Sequence, residues 1–150
     1  HREQGLLLAP GNPRRIHQLE DLARPDVRMI NRNRGSGTRL WLDQQLSRLS
    51  ISTQALRGYE REVRTHTAVA EAIRTGKADV GLGAEAAARQ SGLDFIPMFQ
   101  ERFDLVVPRE QIHEPRLRVL FDLLSSLHFR SLVEDLGGYQ TGHTGDQLVP

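Results

Sequence analysis

The residues best placed to do chemistry are Asn31-Arg32-Asn33-Arg34-Gly35-Ser36-Gly37-Thr38-Arg39. Two glycines and two hydroxyl residues stand between a short apolar run, Val27–Ile30, and a helix expected from Ser36 to Leu49. A turn of that composition aims several backbone N–H groups at one point, at the positive end of a helix dipole, and so makes an anion site. Ser36, Gly37 and Thr38 would donate backbone and hydroxyl hydrogen bonds, and the flanking Arg32, Arg34 and Arg39 would supply charge-assisted ones, Arg39 or Arg34 first. The chemistry is recognition of a small anionic ligand, not its conversion. The same residues also describe an ordinary capped helix start, with Ser36 as the cap and the glycines making the turn. The segment is not a phosphate loop of the Walker type, since no Gly-Lys-Ser/Thr follows, and it lacks the third glycine of a dinucleotide fingerprint.

Other reactive residue types add little. His66 follows Thr65 at an expected helix start, where a lone histidine caps or faces solvent as readily as it touches a ligand. His113, His128 and His143 have no helpful spacing to acids, so no metal set emerges. The chain has no cysteine, which excludes disulfides, zinc–thiolate sites and thiol catalysis. Ser36 does not sit in a nucleophile elbow, because Thr38 stands where that motif needs glycine, and His66 has no evident orienting acid. Asp79 and Asp104 fall near expected strand ends, with a spacing that implies no proximity. The expectation is a protein that is not an enzyme and needs no cofactor.

The elements that must position these residues alternate. Gly5–Ala9 reads as a buried strand closed by Pro10-Gly11-Asn12-Pro13. One or two helical turns follow at Leu19–Ala23, then a strand at Val27–Ile30. Leu42, Leu46 and Leu49 give the first helix one apolar face. After a short helical piece at Gln54–Arg57 and a brief strand at Glu62–Thr65, Thr65 caps a helix over His66–Thr75, with Val69, Ala70 and Ile73 inward and Gly76 as its stop. Ala78–Gly83 is a strand ending in glycine, and Ala84–Gln90 a helix. Phe95–Phe99 and Phe103–Pro108 are extended. Helices at Pro115–Leu124 and Phe129–Leu136 close the ordered part, and residues 139–150 read as a loose tail. Strands alternating with helices predict an α/β domain with a mixed, mostly parallel sheet and flanking helices. In such sheets ligands sit beyond the carboxyl ends of the strands, a position that both the Ser36 turn and the Gly83 turn occupy.

Composition sets the bounds. The 150 residues are 38% hydrophobic and 26% charged, ordinary for a globular domain. The net charge is +1, so no global field draws the chain to nucleic acid, although residues 1–40 hold eight arginines against four acids. No run approaches the roughly 18 apolar residues of a membrane span and no signal-peptide pattern opens the chain. A cytoplasmic location is expected, with the periplasm as the alternative.

Together the motifs resemble a known family. Arg2-x-x-Gly5-Leu6, Pro10-Gly11-Asn12-Pro13, Asn31-Arg32 with Gly35-Ser36-Gly37-Thr38-Arg39, Thr65-His66-x-x-Val69-Ala70, Gly76-x-Ala78-Asp79-Val80-Gly81-Leu82-Gly83 and Gly92–Pro97 with Glu101–Leu105 occur in one order. That order is similar to substrate-binding-protein-like domains of the type II periplasmic-binding-protein class, related to molybdate-binding proteins. Such domains are found alone, fused to helix-turn-helix regulators or behind molybdopterin-biosynthesis domains. The resemblance implies two α/β lobes around a cleft, the first lobe being incomplete. Residues 1–24 would be a crossover and first-lobe remnant, 25–97 the second lobe, 98–138 a return strand and helices of the first lobe, and 139–150 a tail. It implies binding or sensing of an oxyanion such as molybdate or tungstate by Arg34, Ser36, Gly37, Thr38, Arg39, His66, Gly83 and Ala84. It also implies a fused or partner DNA-binding or molybdopterin-biosynthesis domain, and no direct nucleic-acid contact. An incomplete lobe exposes apolar surface, which favours a homo-oligomer. The alternative is an oligomerisation or regulatory module with no ligand of its own.

Overall fold

A single five-stranded sheet of order β3-β2-β4-β1-β5 forms the middle layer. The computed structural model describes residues 1–148. Its strands are β1 (Arg2–Leu8), β2 (Met29–Arg32), β3 (Glu62–Val63), β4 (Val80–Ala84) and β5 (Asp94–Glu101), and its helices α1 (Gly37–Arg48), α2 (His66–Arg74), α3 (Glu85–Gln90), α4 (Pro115–Ser125) and α5 (Leu127–Asp135). β2 pairs in parallel with β3 and β4, whereas β1 runs antiparallel to both β4 and β5. The sheet is thus mixed, with a smaller parallel share than the alternation of strands and helices suggests. The division expected at residue 25 falls inside it: β1 hydrogen-bonds between β4 and β5, and β5 spans residue 98, where the β1–β5 register shifts by one residue.

The apolar run Leu6-Leu7-Leu8 shows why β1 lies inside the sheet. Successive side chains of a strand point to opposite faces. Leu6 and Leu8 join Leu22, Met29, Leu42 and Leu46 on the α1 face. Leu7 joins Val69, Ala70, Ile73, Ala87 and Ala88 on the α2–α3 face. Each fully buried leucine contributes about 1.5–3 kcal/mol. Backbone approach is close at Gly5, where a Cβ would lie 2.0 Å from the Ile96 carbonyl oxygen.

Local sequence signals set the helix starts. Ser36 Oγ accepts the Arg39 N–H at 3.2 Å and Thr65 Oγ1 accepts the Ala68 N–H at 3.0 Å. The apolar face expected on α1 ends early, for Leu42 and Leu46 are buried but Leu49 is 42% exposed. The Phe103–Pro108 stretch forms no strand, and Phe103, Leu105 and Val106 are exposed. α4 and α5 pack on each other and bury no residue fully. The expected tail is held in place over its first residues: Arg2 bridges Tyr139, Gln140 N–H donates to the His1 carbonyl, and Thr141 is buried. The last two residues of that stretch lie outside the described ones.

Candidate functional site

Three parallel strands run into helices at one edge of the sheet. β2 leads through the glycine turn into α1, β3 into α2, and β4 directly into α3. That brings the expected residues Ser36, Gly37 and Thr38, His66, and Gly83 with Ala84 to one side of the sheet. Because β1 and β5 are antiparallel to each other and β1 to β4, the same edge receives the start of β1 and the end of β5. Arg2 thereby stands in register with Glu101, and Gln4 with Ala84.

The side chains interlock across this edge. Arg2 Nε donates to Glu101 Oε2 at 2.7 Å, and Gln4 Nε2 donates to the same oxygen at 2.5 Å. Gln4 is wholly buried and accepts the Thr38 hydroxyl at 2.7 Å, which ties β1 to the first turn of α1. Trp41 on α1 stacks on Phe99 of β5 with ring centroids 4.1 Å apart, fixing the helix start against the strand that carries Glu101. The first N–H groups of a helix have no acceptor within it. The Glu101 carboxylate lies near the first residue of α1, with Oε1 3.1 Å from where a Cβ on Gly37 would be.

His66 sits deeper. Its Nδ1 accepts the Ala84 N–H at 3.2 Å and lies 3.4 Å from a Cβ built on Gly83. Arg32 Nη1 is 3.0 Å from Nδ1 and 2.9 Å from Nε2, and Arg32 Nη2 donates to the Arg64 carbonyl at 2.9 Å. Burial first, then the charges of Arg32 and Arg2, push the His66 pKa down to about 4. The ring is therefore neutral at pH 7 and does not repel the guanidinium. Burial also lowers the Arg32 pKa, as does the charge of Arg2, while Glu101 raises it. Arg32 Nε is buried without a hydrogen-bond partner, an unpaired donor beside the other charged groups.

The two remaining expected arginines are engaged elsewhere. Arg39 is 4% exposed; it pairs with Asp43 at 2.9 Å and Glu62 at 3.1 Å and lies over the Tyr59 ring, 4.0 Å from its centroid. Arg34 points outward to Glu60 at 3.0 Å and Glu62 at 3.6 Å. Ser36 and His66 do not form a nucleophile–base pair. Ser36 Oγ is used as the helix cap, and His66 meets an arginine and a backbone amide instead of a serine and an acid. Asp79, noted for its place near a strand end, holds Arg28 through both carboxylate oxygens, which keeps its pKa below the usual carboxylate range. Asp104 lies on the exposed segment after β5, paired with Arg102.

Arg32 flanks the turn in sequence and was among the arginines expected to add charge there. Arg2, Gln4 and Glu101 were outside the expected set; they become neighbours only through antiparallel pairing, which residue spacing does not reveal. Among the described residues no group of three His, Asp or Glu stands together as a metal cluster, and no helix is long and apolar enough to cross a membrane.

Comparisons with known proteins agree with this architecture. A family model described as a PBP superfamily domain matches residues 1–125. A Bacillus subtilis (strain 168) protein described as uncharacterized protein YvgK is 39% identical over 148 residues, 99% of this chain and 47% of its own length. A Clostridium pasteurianum protein encoded in the 5′ region of a 2Fe-2S ferredoxin gene is 38% identical over 105 residues, 69% of this chain and 93% of its own. Among solved structures, L-phospholactate-bound PEB3 aligns with a TM-score of 0.60 at 16% identity, covering 91% of this chain and 64% of that one. An ancestral arginine-binding protein bound to arginine aligns at 0.58 and 14% identity, covering 91% and 61%. At those identities the structures share the fold alone. The chain spans about half the length of the Bacillus relative. The strand order, the helix starts gathered at one sheet edge and the family match establish that this chain belongs to the PBP superfamily, with a type II periplasmic-binding-protein-like fold.

Proposed function

We propose that this domain binds a small anionic ligand at the sheet edge described above and performs no chemistry on it. The observation that carries the reading is Arg32, whose Nε is buried and has no partner, set among three strand-to-helix junctions and beside a neutral His66. A guanidinium with an unpaired N–H, beside helix N-termini, suits a carboxylate or oxyanion. Ser36, Gly37 and Thr38 contribute the helix start, and His66, Gly83 and Ala84 the floor. Arg34 and Arg39, tied to acids, act at a distance at most. The fold neighbours named above bind arginine and L-phospholactate, both of which carry anionic groups.

Molybdate and tungstate are the oxyanions this reading favours. In a longer protein, a fused or partner DNA-binding or molybdopterin-biosynthesis domain would respond to the ligand, in the cytoplasm or alternatively the periplasm. Isothermal titration with molybdate, tungstate, sulfate and phosphate tests the site. The expectation is saturable heat with at least one anion, lost in Arg32→Gln. Heat of dilution alone in all four titrations would sink the reading.

A second observation favours association as well. Val119, Leu123, Leu127, Leu132 and Leu136 on and beside α4–α5 are exposed apolar residues, and faces of that kind pair with other surfaces. The expectation is a homo-oligomer at micromolar concentration by light scattering; a monomeric mass would count against it.

A further inference from the structure

Glu101 occupies the place where an anion would be expected. Its carboxylate takes the Arg2 Nε–H at 2.7 Å and the Gln4 Nε2–H at 2.5 Å, pairs with Arg2 Nη2 at 2.6 Å, and reaches the Gly37 end of the twelve-residue α1. Arg2, Gln4 and that helix start thus form a cradle already filled by a negative group from the same chain. Gln4 is wholly buried and held by Thr38, so one half of the cradle is rigid. Glu101 is different. It is the last residue of β5, its side chain is 25% exposed, and no strand continues beyond it. A group at a strand end can swing out at little cost in packing.

We propose that Glu101 is a built-in occupant of this cradle, and that a carboxylate or oxyanion ligand binds by displacing it. The proposal rests on the anion-binding reading above and adds its control. While Glu101 is seated, the apparent affinity for an anion falls with the fraction of molecules whose cradle is open. A carboxylate seated nine times in ten weakens binding about tenfold. Displacement also frees the end of β5, so the occupant links ligand to the segment that leads towards α4 and α5.

The protein carries its own reporter. Trp41 is the single tryptophan, and it stacks on Phe99 two residues before Glu101. Wild type and Glu101→Gln are titrated with sodium sulfate and sodium molybdate by calorimetry and by Trp41 fluorescence. Glutamine keeps the shape and removes the charge, so the fold is retained. Glu101→Gln is expected to bind about tenfold tighter, and wild-type Trp41 emission is expected to change on saturation as Glu101 leaves the cradle. Equal affinities overturn the displacement and leave the binding reading standing. Tighter binding by Glu101→Gln with no change in wild-type Trp41 emission also overturns it, since that outcome is long-range repulsion alone. Absence of binding heat in both proteins overturns both readings.

Discussion

His66 should make the domain sensitive to mild acid. Its pKa drops from 6.5 to about 4 in the folded chain because burial and the charges of Arg32 and Arg2 oppose protonation. The unfolded chain therefore takes up this proton first as pH falls. The stability involved is fully present above pH 6.5 and is lost between pH 6.5 and about 4. At 1.36 kcal/mol per unit the whole shift is worth at most about 3.4 kcal/mol, and solvent around the half-buried ring reduces it to about 2 kcal/mol. Roughly half of that, about 1 kcal/mol, is lost between pH 7 and pH 5, which lowers Tm by about 2–4 °C for a chain of this size. His1, His17, His113, His128 and His143 are exposed. The low pKa of Asp79, held down by Arg28, acts only below its ordinary value of 3.8. The control is His66→Asn, whose Oδ1 can accept the Ala84 N–H in place of Nδ1. Calorimetric melts of both proteins at pH 7 and pH 5 test the reasoning. Wild type is expected to lose about 2–4 °C more than His66→Asn. Equal losses would refute the burial of a neutral His66 as the cause.

Further substitutions separate the parts of the structure. Arg39→Met removes the pairs with Asp43 and Glu62 and the contact with Tyr59; urea unfolding is expected to show a loss of about 2–3 kcal/mol, below a fully buried pair because both carboxylates are partly exposed. Anion affinity in that variant should stay within about twofold, since its effect on the site is indirect; a complete loss of binding in a folded Arg39→Met would return Arg39 to the site. Ser36→Ala deletes the α1 cap and is expected to cost about 1 kcal/mol by the same assay; no change would mean that the cap is replaced by water. Gly5→Ala places a methyl 2.0 Å from the Ile96 carbonyl oxygen, and a loss of at least about 3 kcal/mol or failure to fold is expected. A Gly5→Ala protein with wild-type stability would show that β1 and β5 are not packed as described.

Much of the local structure was legible because short-range chemistry determines it. Ser36 and Thr65 start helices by accepting an N–H three residues on, and that spacing is visible in the chain. Leu6-Leu7-Leu8 announces a strand buried on both faces, since alternation would have left one of the three in water. The anion-friendly turn follows from two glycines and two hydroxyls between a strand and a helix. Other assignments failed where packing overrides pattern. Leu49 continues the apolar spacing of α1 but is the C-cap that follows its last residue, Arg48, and is exposed. Phe103–Pro108 has strand-forming residues but no neighbouring strand to supply a hydrogen-bond ladder.

The sequence by itself determined the class of the fold and the strand-to-helix turn at Ser36. Tertiary structure decided which charges face it. Arg39, adjacent in sequence, turns to Asp43 and Glu62, because a buried guanidinium must find carboxylates within reach. Arg2 and Glu101, 99 residues apart, meet at the turn because β1 and β5 run antiparallel. Pairing direction is a long-range property of the sheet, and no local spacing encodes it.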